Sequence, residues 1–176
     1  MKAKQIFLRP LEKEDLVLRP KWFNDPDIYQ TLLMDYPIGY SQTLVWFEKS
    51  LREGNNINLS ICDINTSKVI GMTGLLNINR KHQHAQFYIT IGEKEYWGKH
   101  IPDEVIPLVL DYGFFEHNLN KIYLWTINNN ERARTVYERN GFKLEGIMKE
   151  QFYCRRKFQD LYQHAILKSD WVKLIQ

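Results

Sequence analysis

The sequence has few cysteines, no long apolar run and no block of like charge. Its only cysteines are Cys62 and Cys154. Two thiols without the spacing of metal ligands favour reduced side chains in a cytoplasmic protein over a disulfide framework. The apolar run at residues 6–8, which Arg9 interrupts, is far shorter than a signal-peptide core or a membrane span. These absences predict a cytoplasmic protein that is neither exported nor inserted in a membrane.

The charged residues are balanced and dispersed. There are 24 lysines and arginines against 21 acidic residues, which gives a formal net charge of +3. Because the basic residues are scattered among acids, the sequence does not favour nucleic-acid binding. His82 and His84 lie close together, but no further ligand follows at a metal-binding spacing, so we predict a turn there rather than a metal site.

Hydrophobic periodicity predicts a single α/β domain spanning residues 1–176. Apolar and β-branched runs predict strands at residues 6–8, 57–64, 69–78, 85–91, 121–127, 142–152 and 161–167. Helical spacing predicts helices after Pro10, after Asp25, and at residues 41–51, 103–115 and 131–139. The expected architecture is a mixed, mostly antiparallel sheet with flanking helices.

Apolar spacing also predicts which helix faces are buried. Leu44, Phe47 and Leu51 are expected on the buried face of the helix at residues 41–51. In the helix at residues 103–115, Phe115 is expected to share the apolar face with Ile106, Val109, Leu110 and Phe114. Pro107 falls inside that helix and predicts either a kink or a later helix start.

The most informative stretch is residues 130–142, which lies between two predicted strands. It has the form Asn-x-x-Ala-x-x-x-Tyr-Glu-Arg-x-Gly-Phe. This form resembles the helix after the fifth strand in the GNAT superfamily of N-acetyltransferases, especially the branch of ribosomal-protein N-terminal acetyltransferases and spermidine acetyltransferases. The order of the surrounding segments is also similar over nearly the whole chain. The resemblance implies a GNAT fold with splayed fourth and fifth strands, and an enzyme that takes its acetyl group from acetyl-coenzyme A.

Two residues of this motif have implied roles. The resemblance makes Tyr137 the proton donor to coenzyme A and makes Asn130 a cofactor contact. They are seven positions apart, two helical turns along one face. Spacing alone favours another role for Tyr137, because an inward tyrosine on a helix is usually a core residue. The sequence leaves both roles open.

The resemblance also implies that a backbone N–H in the fourth strand stabilises the reaction's oxyanion. The family places this amide at a bulge, which corresponds to Ile89, Thr90 and Ile91 here. The alternative is an ordinary strand whose amides are all paired with a neighbouring strand.

Residues 97–102 correspond to the family's phosphate loop, Gln/Arg-x-x-Gly-x-Gly/Ala, whose amides face the pyrophosphate at a helix N-terminus. Pro102 has no N–H, and His100 has a side chain where a small residue is expected, so cofactor binding is expected to be weakened or reshaped. Against this, proline fits the first turn of a helix, and His100 offers a phosphate contact of its own. We therefore predict that acetyl-coenzyme A still binds, at a loop formed by Trp97, Gly98, Lys99, His100, Ile101 and Pro102.

The acceptor is less well specified by the sequence. Asn77 and Gln86 stand where polyamine enzymes of this branch keep acids, so the acceptor is expected to be less cationic than spermidine. Four other acids are candidates for the cleft, although each is more often a surface charge: Asp35, Glu93, Glu95 and Glu150, the last a weak candidate for the general base. Several aromatic residues line either an acceptor pocket or, more commonly for helical aromatics, the core: Trp22, Phe23, Tyr29, Tyr36 and Tyr40.

These observations predict an acetyl-coenzyme A-dependent N-acetyltransferase that acts on a primary amine of a small molecule, such as an amino sugar, an aminoglycoside or a polyamine. Two alternatives stay open. One is acetylation of a protein N-terminus, and the other is a non-catalytic domain that binds an acyl-coenzyme A, motivated by His100 and Pro102. Dimers are common in this fold, so a homodimer is an expectation by analogy alone. No nucleic-acid or membrane partner is expected.

Overall fold

The computed structural model describes residues 1–34, 37–128, 130–154 and 156–176. Within these residues, seven strands form one sheet: β1 (Ile6–Pro10), β2 (Ile57–Asp63), β3 (Val69–Asn79), β4 (His84–Ile91), β5 (Lys121–Ile127), β6 (Lys143–Cys154) and β7 (Lys157–Leu167). The helices are α1 (Leu18–Phe23), α2 (Pro26–Tyr29), α3 (Tyr40–Glu53), α4 (Ile101–Asp111), α5 (Glu131–Arg139) and α6 (Lys168–Ile175). Every strand predicted from the sequence is present, and β7 begins earlier than predicted.

The sheet has the strand order β1-β2-β3-β4-β5-β7-β6 and divides at its centre. All neighbouring strands are antiparallel except β4 and β5, which run parallel. These two strands pair only where residues 84–86 lie beside residues 121–123. Beyond that point they separate, and this confirms the predicted mixed sheet with splayed fourth and fifth strands.

Two hydrophobic clusters cover opposite faces of the sheet. Helices α4 and α6 pack on one face, through a cluster that includes Val105, Phe87 and Trp171. Helices α1 to α3 pack on the other face, through a cluster that Tyr88 borders. Phe87 and Tyr88 are successive residues of β4, so their side chains point to opposite faces. The gap between β4 and β5 therefore connects the two helical layers.

Local sequence signals account for several helix ends. The Asp25 side chain accepts a hydrogen bond from the Asp27 N–H (2.9 Å), and Pro26 is the first residue of α2, as predicted. Gly54 follows α3 with a φ of 61°, and Gly141 follows α5 with a φ of 89°. Both are left-handed conformations that glycine adopts without strain.

The buried faces of two helices differ from the prediction. In α3 the buried residues are Thr43, Phe47 and Ser50, whereas Leu51 is 66% exposed. After α4 the chain continues as a π-helical turn, Tyr112–Glu116. This turn changes the helical period, so Phe114 stays buried while Phe115 is 48% exposed.

Two further features of the helices differ from what the sequence predicts. Helix α4 begins at Ile101 and continues through Pro107, which excludes the later helix start, one of the two alternatives predicted for this proline. Helix α6 was not predicted from the sequence. Trp171 anchors it, since this side chain is buried and its indole N–H donates a hydrogen bond to Asp111 Oδ1 (2.7 Å).

The structure contains no spanning helix and no metal cluster in the parts of the chain that it describes. None of the helices there has the length and apolar character needed to cross a membrane. Nor do the same residues bring together three or more His, Cys, Asp or Glu side chains as metal ligands. The rings of His82 and His84 stack on each other at 6.3 Å.

Gly92, directly after β4, packs against the indole of Trp22. A Cβ at this position would overlap the Trp22 ring, which is buried and hydrogen-bonded to Glu93 (2.9 Å). We expect Gly92→Ala to reduce the free energy of unfolding by about 2 kcal/mol, through overpacking. For a chain of this length the melting temperature should fall by roughly 4–8 °C.

Gly146→Ala in β6 is the matched control, because a Cβ there meets no atom within 4 Å. Its effect on the free energy of unfolding should stay within about 0.5 kcal/mol. Thermal unfolding of both variants measures the difference. Equal melting temperatures would show that Trp22 moves aside at no cost.

Candidate active site

A cavity of about 470 Å³ lies where β4 and β5 separate. It is open to both helical layers. Residues of α1, α2 and β4 line one part of it, and residues of β5 and α5 and of the loop before α4 line the other. Among the predicted site residues, those that line the cavity are Ile89, Thr90, Ile91, Trp97, Gly98, Pro102, Asn130 and Tyr137.

Tyr137 lies on the inward face of α5. Its ring makes edge-to-face contacts with Phe87 (6.2 Å) and Phe142 (5.9 Å), so it packs as a core residue and lines the cavity as well. Its hydroxyl has no hydrogen-bond partner among the described residues. Burial raises the pKa of Tyr137 well above the ordinary value for tyrosine. The phenol is therefore protonated at neutral pH and has a proton to donate.

Asn130 is the N-cap of α5 rather than a residue within the helix. Its Oδ1 accepts a hydrogen bond from the Ala133 N–H (3.2 Å). Capping satisfies one of the free amides at the helix start. Asn130 thus fixes where α5 begins, and with it the direction from which Tyr137 enters the cavity.

The predicted bulge in the fourth strand is wrong in its position. Pairing between β3 and β4 is continuous from Gly71–Ile91 to Leu76–Gln86, so Ile89, Thr90 and Ile91 lie in regular strand. The irregularity lies on the partner strand, between Leu76 and Asn79. β4 nevertheless has unpaired backbone on its β5 side, because the two strands have already separated there.

Thr126 of β5 is a further polar residue at the gap. Its hydroxyl is buried and has no hydrogen-bond partner among the described residues, although the side chain lines the cavity. A buried polar atom without a partner is costly, so a ligand atom that bonded to it would be favoured.

The predicted phosphate loop forms a turn that leads into α4. Gly98 has a φ of 80°, and His100 has a φ of 59° although it is not glycine. Left-handed backbone costs a residue with a side chain roughly 1–2 kcal/mol. Pro102 is the second residue of α4, so the prediction that proline is accommodated in the first helical turn is confirmed. The indole N–H of Trp97 donates to the Ile91 carbonyl (2.9 Å) and ties the loop to β4.

Three loop residues do not line the cavity. The side chain of Ile101 is buried in the core, and Lys99 lies 4.7 Å above the ring of Tyr96. The His100 imidazole is exposed and contacts Asp103 Oδ2 (3.0 Å). The predicted cofactor contacts of these three residues therefore do not involve side chains that line the cavity.

Asp103 joins this loop to the end of α5. It accepts hydrogen bonds from Arg139 (2.7 Å and 2.6 Å) and from Asn140 (2.8 Å), in addition to its contact with His100. Burial acts to raise the pKa of Asp103, but the hydrogen bonds outweigh it and lower the pKa. The ionised carboxylate therefore holds the start of α4 against the helix that carries Tyr137.

The cavity wall is cationic, which sequence reasoning missed. Arg132 lies 6.0 Å above the Trp97 ring, beside the loop before α4. Arg19 lines the other part, between the rings of Phe23 and Trp46. Arg19 stands in no recognisable motif, and Arg132 occupies an unspecified position of the motif at residues 130–142, so no signal in the sequence marks either arginine as part of the cavity.

Three of the four acids predicted for the acceptor cleft do not line the cavity. Glu93 is bonded to Lys21, Lys68 and Trp22, and Glu95 to Lys68. Glu150 is exposed on β6. Asp35 lies outside the described residues, as does Tyr36 of the aromatic segment.

The other residues of the aromatic segment divide between the core and the surface. Trp22 belongs to the core, whereas Phe23 belongs to the core and also lines the cavity. Tyr40 is exposed, and Tyr29 is half-buried. Of the two residues that stand where polyamine enzymes keep acids, Gln86 lines the cavity and Asn77 is exposed.

This arrangement brings together a protonated phenol, a helix N-terminus and unpaired strand backbone around one gap. A helix N-terminus with free amides attracts anions. A phenol can protonate a leaving group, and unpaired amides can stabilise an oxyanion. Within the described residues, these are the elements that acyl transfer from a thioester requires.

Comparison with known proteins supports the same chemistry. Residues 5–143 match the family model described as acetyltransferase (GNAT) domain. Spermidine N(1)-acetyltransferase of Escherichia coli K12 is 27% identical over 171 residues, which cover 97% of this chain and 90% of that protein. The spermidine N(1)-acetyltransferase of Vibrio cholerae is 30% identical over 168 residues, covering 96% of each chain. A crystal structure of the Vibrio cholerae spermidine N-acetyltransferase in complex with CoA and spermine superposes with a TM-score of 0.90, covering 96% of this chain and 98% of that one.

Proposed function

This chain belongs to the acetyltransferase (GNAT) domain family and is an N-acetyltransferase, and we propose that it transfers acetyl from acetyl-coenzyme A directly to a primary amine of a small molecule. The observation that carries this proposal is the position of Tyr137. Its protonated hydroxyl, free of other described partners, lines the cavity at the gap between β4 and β5.

The proposed reaction is a direct transfer without an acetylated protein residue. The neutral amine attacks the thioester carbon, and its N–C bond forms as a tetrahedral oxyanion develops. Unpaired backbone of β4 around Ile89, Thr90 and Ile91 stabilises that oxyanion. The C–S bond then breaks, and Tyr137 donates its proton to the departing thiolate sulfur. The amine loses its own proton to water, and Tyr137 regains one from solvent.

We propose that the pyrophosphate of acetyl-coenzyme A binds at the start of α4. The loop backbone around Gly98 faces the cavity, the N-terminus of α4 attracts the anion, and Arg132 adds a positive charge beside it. Pro102 provides no N–H at the second helical position, so this site has one amide fewer than a loop with alanine there.

The cavity favours an acceptor less cationic than spermidine, in contrast to the substrates that the relatives' names state. Asp27 is the one carboxylate in the described lining, and it pairs with Lys94 (2.7 Å). Arg19 and Arg132 place two positive charges in the same wall. A polycation such as spermidine needs acids in its site, whereas an amino sugar or a similar small amine does not.

Calorimetry tests the proposed donor site directly. We expect acetyl-coenzyme A to bind the wild-type protein, and Pro102→Ala to bind it roughly fivefold more tightly, because the new N–H adds one hydrogen bond of about 1 kcal/mol to the phosphate. Release of thiol from acetyl-coenzyme A in the presence of a panel of amines then measures turnover.

The control for this comparison is Pro37→Ala, which changes a proline that is outside α4 and is not among the described lining residues. It should leave the dissociation constant unchanged. If wild type binds no acetyl-coenzyme A at millimolar concentration, the proposed function fails. If Pro102→Ala binds as weakly as wild type, the phosphate does not lie at this helix start.

A further inference from the structure

The guanidinium of Arg19 lies in the wall of the cavity, on the side of the sheet covered by α1 to α3. Its Cζ lies 4.7 Å from the centre of the Phe23 ring and 4.3 Å from that of Trp46. Two aromatic faces therefore fix the guanidinium from both α1 and α3. Such stacking holds the planar group in one orientation and leaves its edge free to donate hydrogen bonds.

The guanidinium has few polar partners. The one hydrogen bond that it makes within the described residues is a long one, from Nη1 to Thr43 Oγ1 (3.4 Å). No carboxylate in the described part of the chain lies within ion-pair distance of it. An arginine has five N–H donors, so most of the donors of Arg19 are unused.

Two other polar groups in this part of the wall already have bonding partners. Asp27 is bonded to Lys94, and the Tyr88 hydroxyl donates to Asn58 Oδ1 (2.8 Å). Burial removes water from Arg19 and lowers its pKa, although arginine remains charged. A positive charge held in a cavity wall without a counter-ion is a place where an anion binds favourably.

Resting on the acetyl transfer proposed above, we infer that Arg19 binds an anionic group on the acceptor, either a carboxylate or a phosphate. Both anions have the geometry to accept two parallel hydrogen bonds from a guanidinium. The acceptor is then a small molecule that has a primary amine and an anion together. This chemistry excludes polyamines as the preferred acceptors and accounts for the absence of free acids in the described wall.

Matched acceptor pairs test this assignment. Glucosamine and glucosamine 6-phosphate differ by a phosphate, and glycylglycinamide and glycylglycine differ by a carboxylate. Wild type should have a kcat/KM roughly 30-fold higher for the anionic member of at least one pair, equivalent to about 2 kcal/mol, and higher than for spermidine. The pair that shows the preference identifies which anion is bound.

Arg19→Met should abolish this preference while changing kcat/KM for the uncharged member by less than about threefold. The ratio between two acceptors is measured within one variant, so a reduced folded fraction does not alter it. Arg19→Lys keeps the charge without the paired donors and should retain part of the preference. Arg132→Met is the matched control, since it should raise the KM for acetyl-coenzyme A and leave the acceptor ratio as in wild type.

Three results would overturn the assignment. The first is that wild type prefers the uncharged member of both pairs. The second is that wild type prefers spermidine over every other acceptor. The third is that Arg19→Met lowers kcat/KM equally for both members of a pair. The last result would make Arg19 a structural link between α1 and α3. All three presuppose turnover, so each differs from failure to bind acetyl-coenzyme A, which would overturn the proposed function itself.

Discussion

Tyr137→Phe is expected to lower kcat by about 100- to 1,000-fold, the contribution of a general acid placed at a leaving group. The KM for acetyl-coenzyme A should change little. Phenylalanine keeps the ring contacts with Phe87 and Phe142, so the variant removes the proton without leaving a cavity. Steady-state measurement of thiol release separates the two parameters.

Tyr123→Phe is the matched control. Tyr123 is a half-buried tyrosine of β5 whose ring contacts His84 and Trp125, and it does not line the cavity. This variant should turn over at close to the wild-type rate. Full turnover by Tyr137→Phe would leave Tyr137 as a core residue only, and the thiolate would then take its proton from water.

The second large effect is expected at Asp15, which links the segment after β1 to strands β1 and β2. Its carboxylate accepts two hydrogen bonds from Arg9 (2.6 Å and 2.8 Å) and one from Ser60 (2.7 Å), and it is nearly fully buried. Asp15→Ala leaves Arg9 without its anion. We expect a loss of about 3 kcal/mol in the free energy of unfolding, and a melting temperature lower by roughly 6–12 °C.

The stability that Asp15 contributes should depend on pH in a defined direction. Burial acts to raise its pKa, but the hydrogen bonds from Arg9, Ser60 and the Glu12 N–H outweigh it, and the folded-state pKa is lowered from the usual 3.8. The contribution is therefore complete above the unfolded-state value and is lost as the pH falls through the folded-state pKa. Below that pH, the difference in stability between wild type and Asp15→Ala should be much smaller than at neutral pH.

Lys149→Met provides the comparison for a surface ion pair. Lys149 is largely exposed and pairs with Asp160 (2.9 Å). Loss of such an exposed pair should lower the stability far less than loss of the Asp15 carboxylate, because solvent screens surface charges. Urea denaturation of the three proteins at several pH values measures these differences. A loss for Asp15→Ala as small as that for Lys149→Met would show that Arg9 finds water in place of its partner.

The sequence predicted those parts of the fold that depend on local chemistry. The strands follow from alternation and β-branched residues, and the end of α5 follows from Gly141. Residues 130–142 also led to the family, and through it to Tyr137. These signals are local because a cap or a turn needs only neighbouring residues.

Features that depend on contacts between distant segments were not predictable in this way. Thr43 and Ser50 are buried in α3 because other helices and β2 pack over them: Ser50 accepts a hydrogen bond from Asn58, and Thr43 one from Arg19. Arg19 is recognisable as part of the cavity only after Phe23 and Trp46 come together in space. The sequence pattern of one helix contains no information about its partner.

The separation of β4 from β5 affects whether molecules of this protein can aggregate by strand addition. A strand with unpaired N–H and C=O groups is usually a template on which another chain can add, and so an aggregation hazard. Here the unpaired edge of β4 beyond Gln86 lies inside the sheet, facing a cavity that β5 and α5 also line. Another chain could pair with this edge only in the space beside which β5 and α5 already lie. The protein thus keeps hydrogen-bonding backbone open to a substrate while withholding it from neighbouring molecules.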